Sequence, residues 1–259
     1  MSIIGIDFGN KTTKIYNFYN GNFKIIENEL NERSFQSLVA FQEDFRFFGD
    51  SAKTKQMKCI EDITFNIKSK IFDQTYESEQ ELHGESYSFN GFALANMYLN
   101  YIRSFINKKA IKRSLTIFTY PDYYTIDQLL QLTTLLSCSK YNPVKIIPES
   151  IAIGLDYGLY RIAKNNFKYA KTVLFIDVGN TVASFYIINY YNNVMKVEYI
   201  WTLKDCGASL MDKLVVQYLY TKYKKQLLDN DIEFKDDWEE QICMKKLYIE
   251  VEKLRKQLN

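Results

Sequence analysis

The chain has 259 residues; its 33 lysines and arginines nearly balance 31 aspartates and glutamates, for a net charge of +2, so no electrostatic footprint for nucleic acid stands out. A content of 47% hydrophobic and 25% charged residues belongs to a folded chain and excludes a disordered one. A single histidine and four scattered cysteines (Cys59, Cys138, Cys206, Cys243), with no C-x-x-C, argue against zinc and for reduced thiols, while no apolar run approaches the ~20 residues of a membrane helix and no basic, cleavable leader precedes the first strand, which predicts a cytoplasmic protein.

The first fifty residues read as a β-meander. Residues 2–7 are apolar, "TTKIYNF" alternates, and "FKIIENEL", "SLVAFQ" and "FRFFG" follow at short spacing with Gly or Asn between them. Residues 50–72 are mixed and end in the basic-aromatic "FNIKSKIF". In "GFALANMYLNYIRSFINKKA", Leu94, Met97, Tyr98, Tyr101, Ile102 and Phe105 recur at helical spacing. "LTIFTY" (115–120) is a strand closed by Pro121, a helix is predicted over 125–138, "VKIIPES" is another strand, and a helix over 149–161 follows. Strands alternating with helices are the signature of a layered α/β domain. After the basic stretch 161–171 the pattern restarts. "TVLFIDVGN" and "VASFYII" are strands, "NYYNN" a turn, and "VMKVEYIW" a strand. Helices are predicted over about 209–225 and 236–258.

One phrase occurs twice. "IDFGN" (6–10) returns as "IDVGN" (176–180), each time at the start of a meander. Two lobes on one plan, lobe I over 1–165 and lobe II over 166–259, would put both turns at equivalent places. In each copy an apolar strand delivers an Asp (Asp7, Asp177) to its end. A glycine (Gly9, Gly179) then lets another group approach the backbone, whose N–H groups can form an anion-binding nest. An Asp repels phosphate directly but can hold a hydrated Mg²⁺ that bridges to it. A hairpin repeated by chance is the plain alternative for either copy alone; two copies at matching points of two lobes favour a polyphosphate site.

Five stretches in register, "IIGIDFGN", "FNIKSK", "IIPESIAIGLDYGLYR", "VLFIDVGN" and the terminal "VEKLRKQL", resemble the actin-like ATPase domain of the Hsp70 superfamily over essentially the whole chain. The resemblance is closest to the Hsp110 branch, whose manner "CGASLMDKLVVQYL" follows. It implies an α/β, two-lobed actin-like (ribonuclease H-like) fold with an incomplete second lobe and no peptide-binding part. It also implies ATP or ADP with Mg²⁺ as ligand, a chaperone role, and an Hsp70 partner. By that resemblance Asp7 and Asp177 organise Mg²⁺ through water. Gly9, Asn10, Lys11, Gly179, Asn180, Thr181 and Gly207 lie in the phosphate-binding segments. Lys68 reaches the γ-phosphate, Glu149 opens a helix beside the phosphates, and with Asp177 they are the catalytic candidates. Pro121 falls on a switch proline, and Glu252, Arg255 and Lys256 on the ribose- and adenine-holding helix. Spacing allows those last three to share a helix face. It equally allows a solvated surface, as a first-turn acid or a surface lysine would explain Glu149 or Lys68 alone.

The chain also departs from that pattern. Asn10 and Lys11 replace hydroxyl residues of the first turn; Asn180, Thr181 and Val182 replace glycines and a threonine of the second. Ser184 stands where the Hsp70 branch carries an acid, Leu129 replaces the arginine of the interdomain relay, and the closing segment of the second lobe is missing. Four readings follow: a shortened Hsp110-like co-chaperone helping an Hsp70 exchange nucleotide, a slow Mg²⁺-dependent ATPase, a sugar-kinase-like enzyme using Asp122, and a scaffold that binds no nucleotide.

Overall fold

The structure, a computed structural model of the chain, describes residues 2–42, 44–55, 63–109, 114–141, 144–159, 170–192, 194–229 and 237–258. Strand β1 (Ser2–Phe8) shows how local pattern makes the architecture. Ser2, Ile4, Ile6 and Phe8 are buried while Asp7 is exposed, so one strand serves the core on one face and carries a carboxylate on the other. After it come β2 (Thr12–Tyr19), β3 (Asn22–Ile25), β4 (Phe35–Gln36), β5 (Val39–Gln42), β6 (Phe45–Phe48), α1 (Gly49–Lys55), β7 (Ile63–Thr64) and the single turn α2 (Ile67–Lys70). Next are the hairpin β8 (Glu77–Leu82) and β9 (Glu85–Asn90), α3 (Gly91–Lys109), β10 (Ser114–Tyr120), α4 (Ile126–Cys138), β11 (Val144–Pro148) and α5 (Glu149–Tyr157).

These strands build a sheet in the order β11-β10-β1-β2-β3, with β4 also on β2. β1 pairs antiparallel with β2, closing a meander, and parallel with β10, which pairs parallel with β11. Parallel neighbours need crossovers, and α4 supplies one between β10 and β11. Its start is a capping box: the Thr125 hydroxyl accepts the Gln128 N–H, and the Gln128 side chain accepts the Thr125 N–H. Leu94, Ala95, Tyr98, Leu99 and Ile102 of α3 join Leu132, Leu135 and Leu136 of α4 against Ile4, Ile6, Phe8 and Phe118, which makes the main core. A small sheet, β6-β5-β7, flanks it.

The second meander is β12 (Lys171–Val178), β13 (Val182–Tyr191) and β14 (Val194–Lys204), a sheet in that order, followed by α6 (Ala208–Asp229) and α7 (Asp237–Leu258). Ile153 and Tyr157 of α5 pack on Tyr186, Ile188 and Tyr190 of β13, and the Tyr190 hydroxyl donates to the Gly154 carbonyl at 2.8 Å. The predicted turn "NYYNN" is narrower than expected. Strand β13 runs on through Tyr191, and Asn192 turns the chain at φ 46°, a conformation asparagine tolerates. The basic stretch 161–169 lies outside the described residues, as does the end of the helix predicted to 161.

Two compact units result, one of residues 1–175 with 185–201 and one of 176–184 with 202–259. Both are mixed α/β, as the actin-like ATPase fold of the Hsp70 superfamily requires. Among the described residues no helix is long and apolar enough to cross a membrane.

Candidate functional site

In the first unit the turn after β1 spans only Asn10 and Lys11, because the Gly9 N–H donates to the Thr12 carbonyl at 3.1 Å. A Cβ on Gly9 would stand 2.6 Å from that carbonyl oxygen, closer than side chains tolerate, so glycine is a steric requirement here. Ser37 fixes the turn from outside. Its N–H donates to the Lys11 carbonyl and its hydroxyl to the Gly9 carbonyl, both at 2.9 Å. Asp7 sits at the end of β1 opposite Lys14.

The turn is tied to the lysine predicted to face phosphate. The Asn10 Oδ1 accepts the N–H of Ser69 at 2.8 Å, and Ser69 follows Lys68 on α2. Asn66, in the left-handed conformation at φ 54°, lets the chain enter this single turn. Lys68 is buried to 5% exposure, an unusual place for an ammonium. Its Nζ lies 3.5 Å from Glu149 Oε1 and 5.8 Å from the centre of the Tyr124 ring. Burial, followed by the neighbouring Tyr123 and Glu149, drives the Tyr124 phenol far above its ordinary range, so it stays neutral beside the ion pair. The structure therefore joins Asn10, Lys68 and Glu149 in one contiguous set, with Gly9 and Lys11 at the same turn and Asp7 on the strand that leads into it.

The second unit repeats the hairpin. The Gly179 N–H donates to the Val182 carbonyl at 2.9 Å, so the turn again spans two residues, Asn180 and Thr181. A Cβ on Gly179 would lie 3.1 Å from the Val182 carbonyl oxygen. Here the turn is held by a helix. The N–H groups of Ala208 and Ser209, the first of α6, donate to the carbonyls of Gly179 (3.0 Å) and Asn180 (2.8 Å). Those donors, which an anion would otherwise seek at a helix N-terminus, are spent on the turn itself. Gly207 makes this docking feasible, since a Cβ there would come within 2.5 Å of the Asn180 carbonyl.

Further along the same unit, Arg255 is held as a fork. Its Nε donates to Asp212 Oδ1 at 2.6 Å and its Nη2 to Asp212 Oδ2 at 3.0 Å, with Asp212 buried to 2% exposure. That bond raises the guanidinium pKa further above its already high value. Glu252 and Lys256 pair at 2.5 Å, one turn apart on α7.

A family model described as Hsp70 protein matches residues 3–259. The chain belongs to the Hsp70 family. Among its relatives is a heat shock protein homolog of Candida glabrata, 26% identical over 87% of this chain and 37% of that protein. Heat shock protein 88 of Dictyostelium discoideum is 26% identical over 88% of this chain and 33% of its own length. A heat shock protein homolog of Saccharomyces cerevisiae is 24% identical, over 87% and 37% respectively. Such relatives are of the Hsp110 kind that the sequence resembles. The chain thus spans about a third of the length of the curated relatives it matches.

Within this Hsp70-family frame, sequence reasoning missed four contributors: Ser37, Tyr124, Asp212 and the Asp122–Ser150 contact. Asp212 left only a weak signal, being with Lys213 one of two charged residues in the mainly apolar "LMDKLVV". Ser37 left none, because its value lies in a backbone carbonyl 28 residues away.

Proposed function

We propose that this chain carries the nucleotide-binding part of an Hsp70/Hsp110-type chaperone or co-chaperone. In this reading residues 1–165 and 166–259 are its two lobes, it binds ATP or ADP with Mg²⁺, and it acts with an Hsp70 partner in the cytoplasm as a nucleotide-exchange-type factor in protein folding. The observation that carries the reading is the duplicated hairpin: two Asp–x–Gly turns with the same backbone bond, one of them wired to a buried lysine.

The donor set fits the ligand. Asp7 and Asp177 offer carboxylate oxygens of the kind Mg²⁺ takes through its waters, and Lys68 offers a positive charge shielded from solvent. Bound Mg²⁺ would supply positive charge against the phosphates. The chain's own part is positional. Asn10 holds the first turn against α2, Glu149 holds the Lys68 ammonium, and α6 holds the second turn. Asp212 fixes the Arg255 guanidinium as a plane suited to stack on a base, with Glu252 and Lys256 beside it for the ribose.

Release of a fluorescent ADP from a full Hsp70 tests the partner role. Acceleration that depends on the concentration of this chain supports it, and an unchanged rate at saturating chain removes it. The retained Lys68–Glu149 pair favours a second reading, a slow ATPase. Steady-state phosphate release above a Lys68→Met control would establish that reading in place of the non-enzymatic one.

A further inference from the structure

Helix α5 opens without a cap of its own. Pro148 stands at its N-cap with extended backbone and makes no side-chain hydrogen bond there, so the first amides of the helix lack the oxygen that Ser, Thr, Asp or Asn would supply. The oxygens come from elsewhere in the chain. Asp122, two residues past the end of β10, accepts the Ser150 N–H on Oδ2 at 2.9 Å and the Ser150 hydroxyl on Oδ1 at 2.5 Å. Strand pairing brings the two loops together, because Tyr120 and Pro148 are partners at the ends of β10 and β11. Ser150 itself is 1% exposed, so the contact is sheltered from water.

Glu149 lies between these two anchors. Its backbone is fixed by the sheet on one side and by the Asp122 carboxylate on the other, and its side chain reaches Lys68. A carboxylate beside a second carboxylate would ordinarily repel it and compete for the cation. Here both Asp122 oxygens already accept from Ser150, which directs the Asp122 charge to the helix N-terminus and leaves Glu149 as the partner of Lys68. The same arrangement removes Asp122 from the role a sugar-kinase-like enzyme would give it, that of a base open to substrate.

We propose that Asp122 is a positioning residue. By capping α5 through Ser150, it holds Glu149 at ion-pair distance from Lys68 and so sets where the Lys68 ammonium stands. The consequence for nucleotide affinity rests on the function proposed above; the positioning itself does not.

The experiment uses the full chain with ¹³C-labelled glutamate carboxyls, the Glu149 signal being assigned by its loss in Glu149→Gln. In the wild type, Lys68→Met removes the cation and moves the Glu149 titration midpoint upward. In Asp122→Ala that response to Lys68→Met falls to about a third or less, since residues coupled through a shared contact are not additive. Asp122→Asn keeps an oxygen for the Ser150 amide and retains most of the response. Ser150→Ala deletes the hydroxyl contact alone, loses part of it, and serves where Asp122→Ala does not fold. An undiminished response in Asp122→Ala or Ser150→Ala overturns the proposal, as does an Asp122→Asn that behaves like Asp122→Ala. In a parallel Mg-ADP titration, Lys68→Met weakens the wild type and adds nothing to Asp122→Ala. A wild type that binds no Mg-ADP sinks the nucleotide reading, while the carboxyl titration still decides the role of Asp122.

Discussion

Gly9 and Gly179, 170 residues apart, hold the same position in two copies of one hairpin. Each donates its N–H to the carbonyl three residues on, Thr12 at 3.1 Å and Val182 at 2.9 Å, and each follows an Asp two residues before it. The copies differ in how they are braced: Ser37 holds the first through side chain and backbone, and the amides of α6 hold the second. They differ also in tightness, and the first prediction follows from that. Gly9→Ala drives a methyl against a backbone oxygen at 2.6 Å, whereas Gly179→Ala meets one at 3.1 Å. Urea unfolding should report a loss of about 1–3 kcal/mol for Gly9→Ala, as for other overpacked sites, and a smaller loss for Gly179→Ala. Equal losses would contradict this reading of the two turns.

The Lys68–Glu149 pair predicts an asymmetry. Glu149→Gln leaves a buried ammonium without its counter-charge and should cost about 1.5–3 kcal/mol, the range of hydrogen bonds to charged groups. Lys68→Met removes the charge and keeps an apolar stem beside Tyr124, so stability should change much less. Chemical denaturation of both variants checks the order. A Lys68→Met less stable than Glu149→Gln would show that the ammonium is not a burden to the fold.

In the second unit, Asp212 and Arg255 should behave as one device. Arg255→Lys preserves charge but cannot reproduce the two-point fork, and Asp212→Asn halves it. A double-mutant cycle should give a coupling of about 1–3 kcal/mol, within the span measured for contacting residues. A coupling near zero would mean that α6 and α7 are held by packing of Val216 and Val251 instead.

One buried acid sets a pH dependence. Asp50, on α1, has its pKa raised first by burial and then by Glu32 and Glu29, while a hydrogen bond from Asn28 and the charge of Lys53 oppose this. A carboxyl whose folded pKa exceeds its unfolded one binds its proton more tightly in the native state. Its favourable contribution is complete below the unfolded pKa and is lost as pH rises through the folded one. Asp50→Asn, which keeps an oxygen for the Asn28 amide, should therefore gain stability relative to wild type as pH rises from about 4, the ordinary carboxyl pKa, through the raised folded one. A difference that stays constant over that range, in urea midpoints at several pH values, would contradict the assignment.

Much of the fold was legible because its period was clean. Helix α3 lies where its apolar spacing suggests, although Ala95, Leu99 and Ile106 are buried beside the residues that spacing picks out, and "LTIFTY" and "TVLFIDV" are strands within a residue or two of where their runs suggest. The hairpin β8–β9 was not legible. In "ESEQELHGESYSFN" the first strand is mostly Glu, Ser and Gln, one face is only half-buried, and the apolar residues are confined to Leu82, Tyr87 and Phe89; the left-handed His83 and Gly84 turn it. The site divides in the same way. The Asp–x–Gly turns are local and repeat, so the sequence displays them. Contacts such as Ser37 to Gly9, Asp122 to Ser150 and Asp212 to Arg255 join residues 28 to 43 positions apart, and only the folded chain brings them together.

The central proposal is that Mg-nucleotide binding needs both Asp7 and Asp177. Isothermal titration of Mg-ATP into the wild type, Asp7→Ala, Asp177→Ala and the double variant tests it most directly. The account predicts one nucleotide per chain and an affinity at least about tenfold weaker, some 1.4 kcal/mol, in either single variant, with the double variant losing less than the sum. No binding by the wild type, or an affinity that neither aspartate changes, would contradict it.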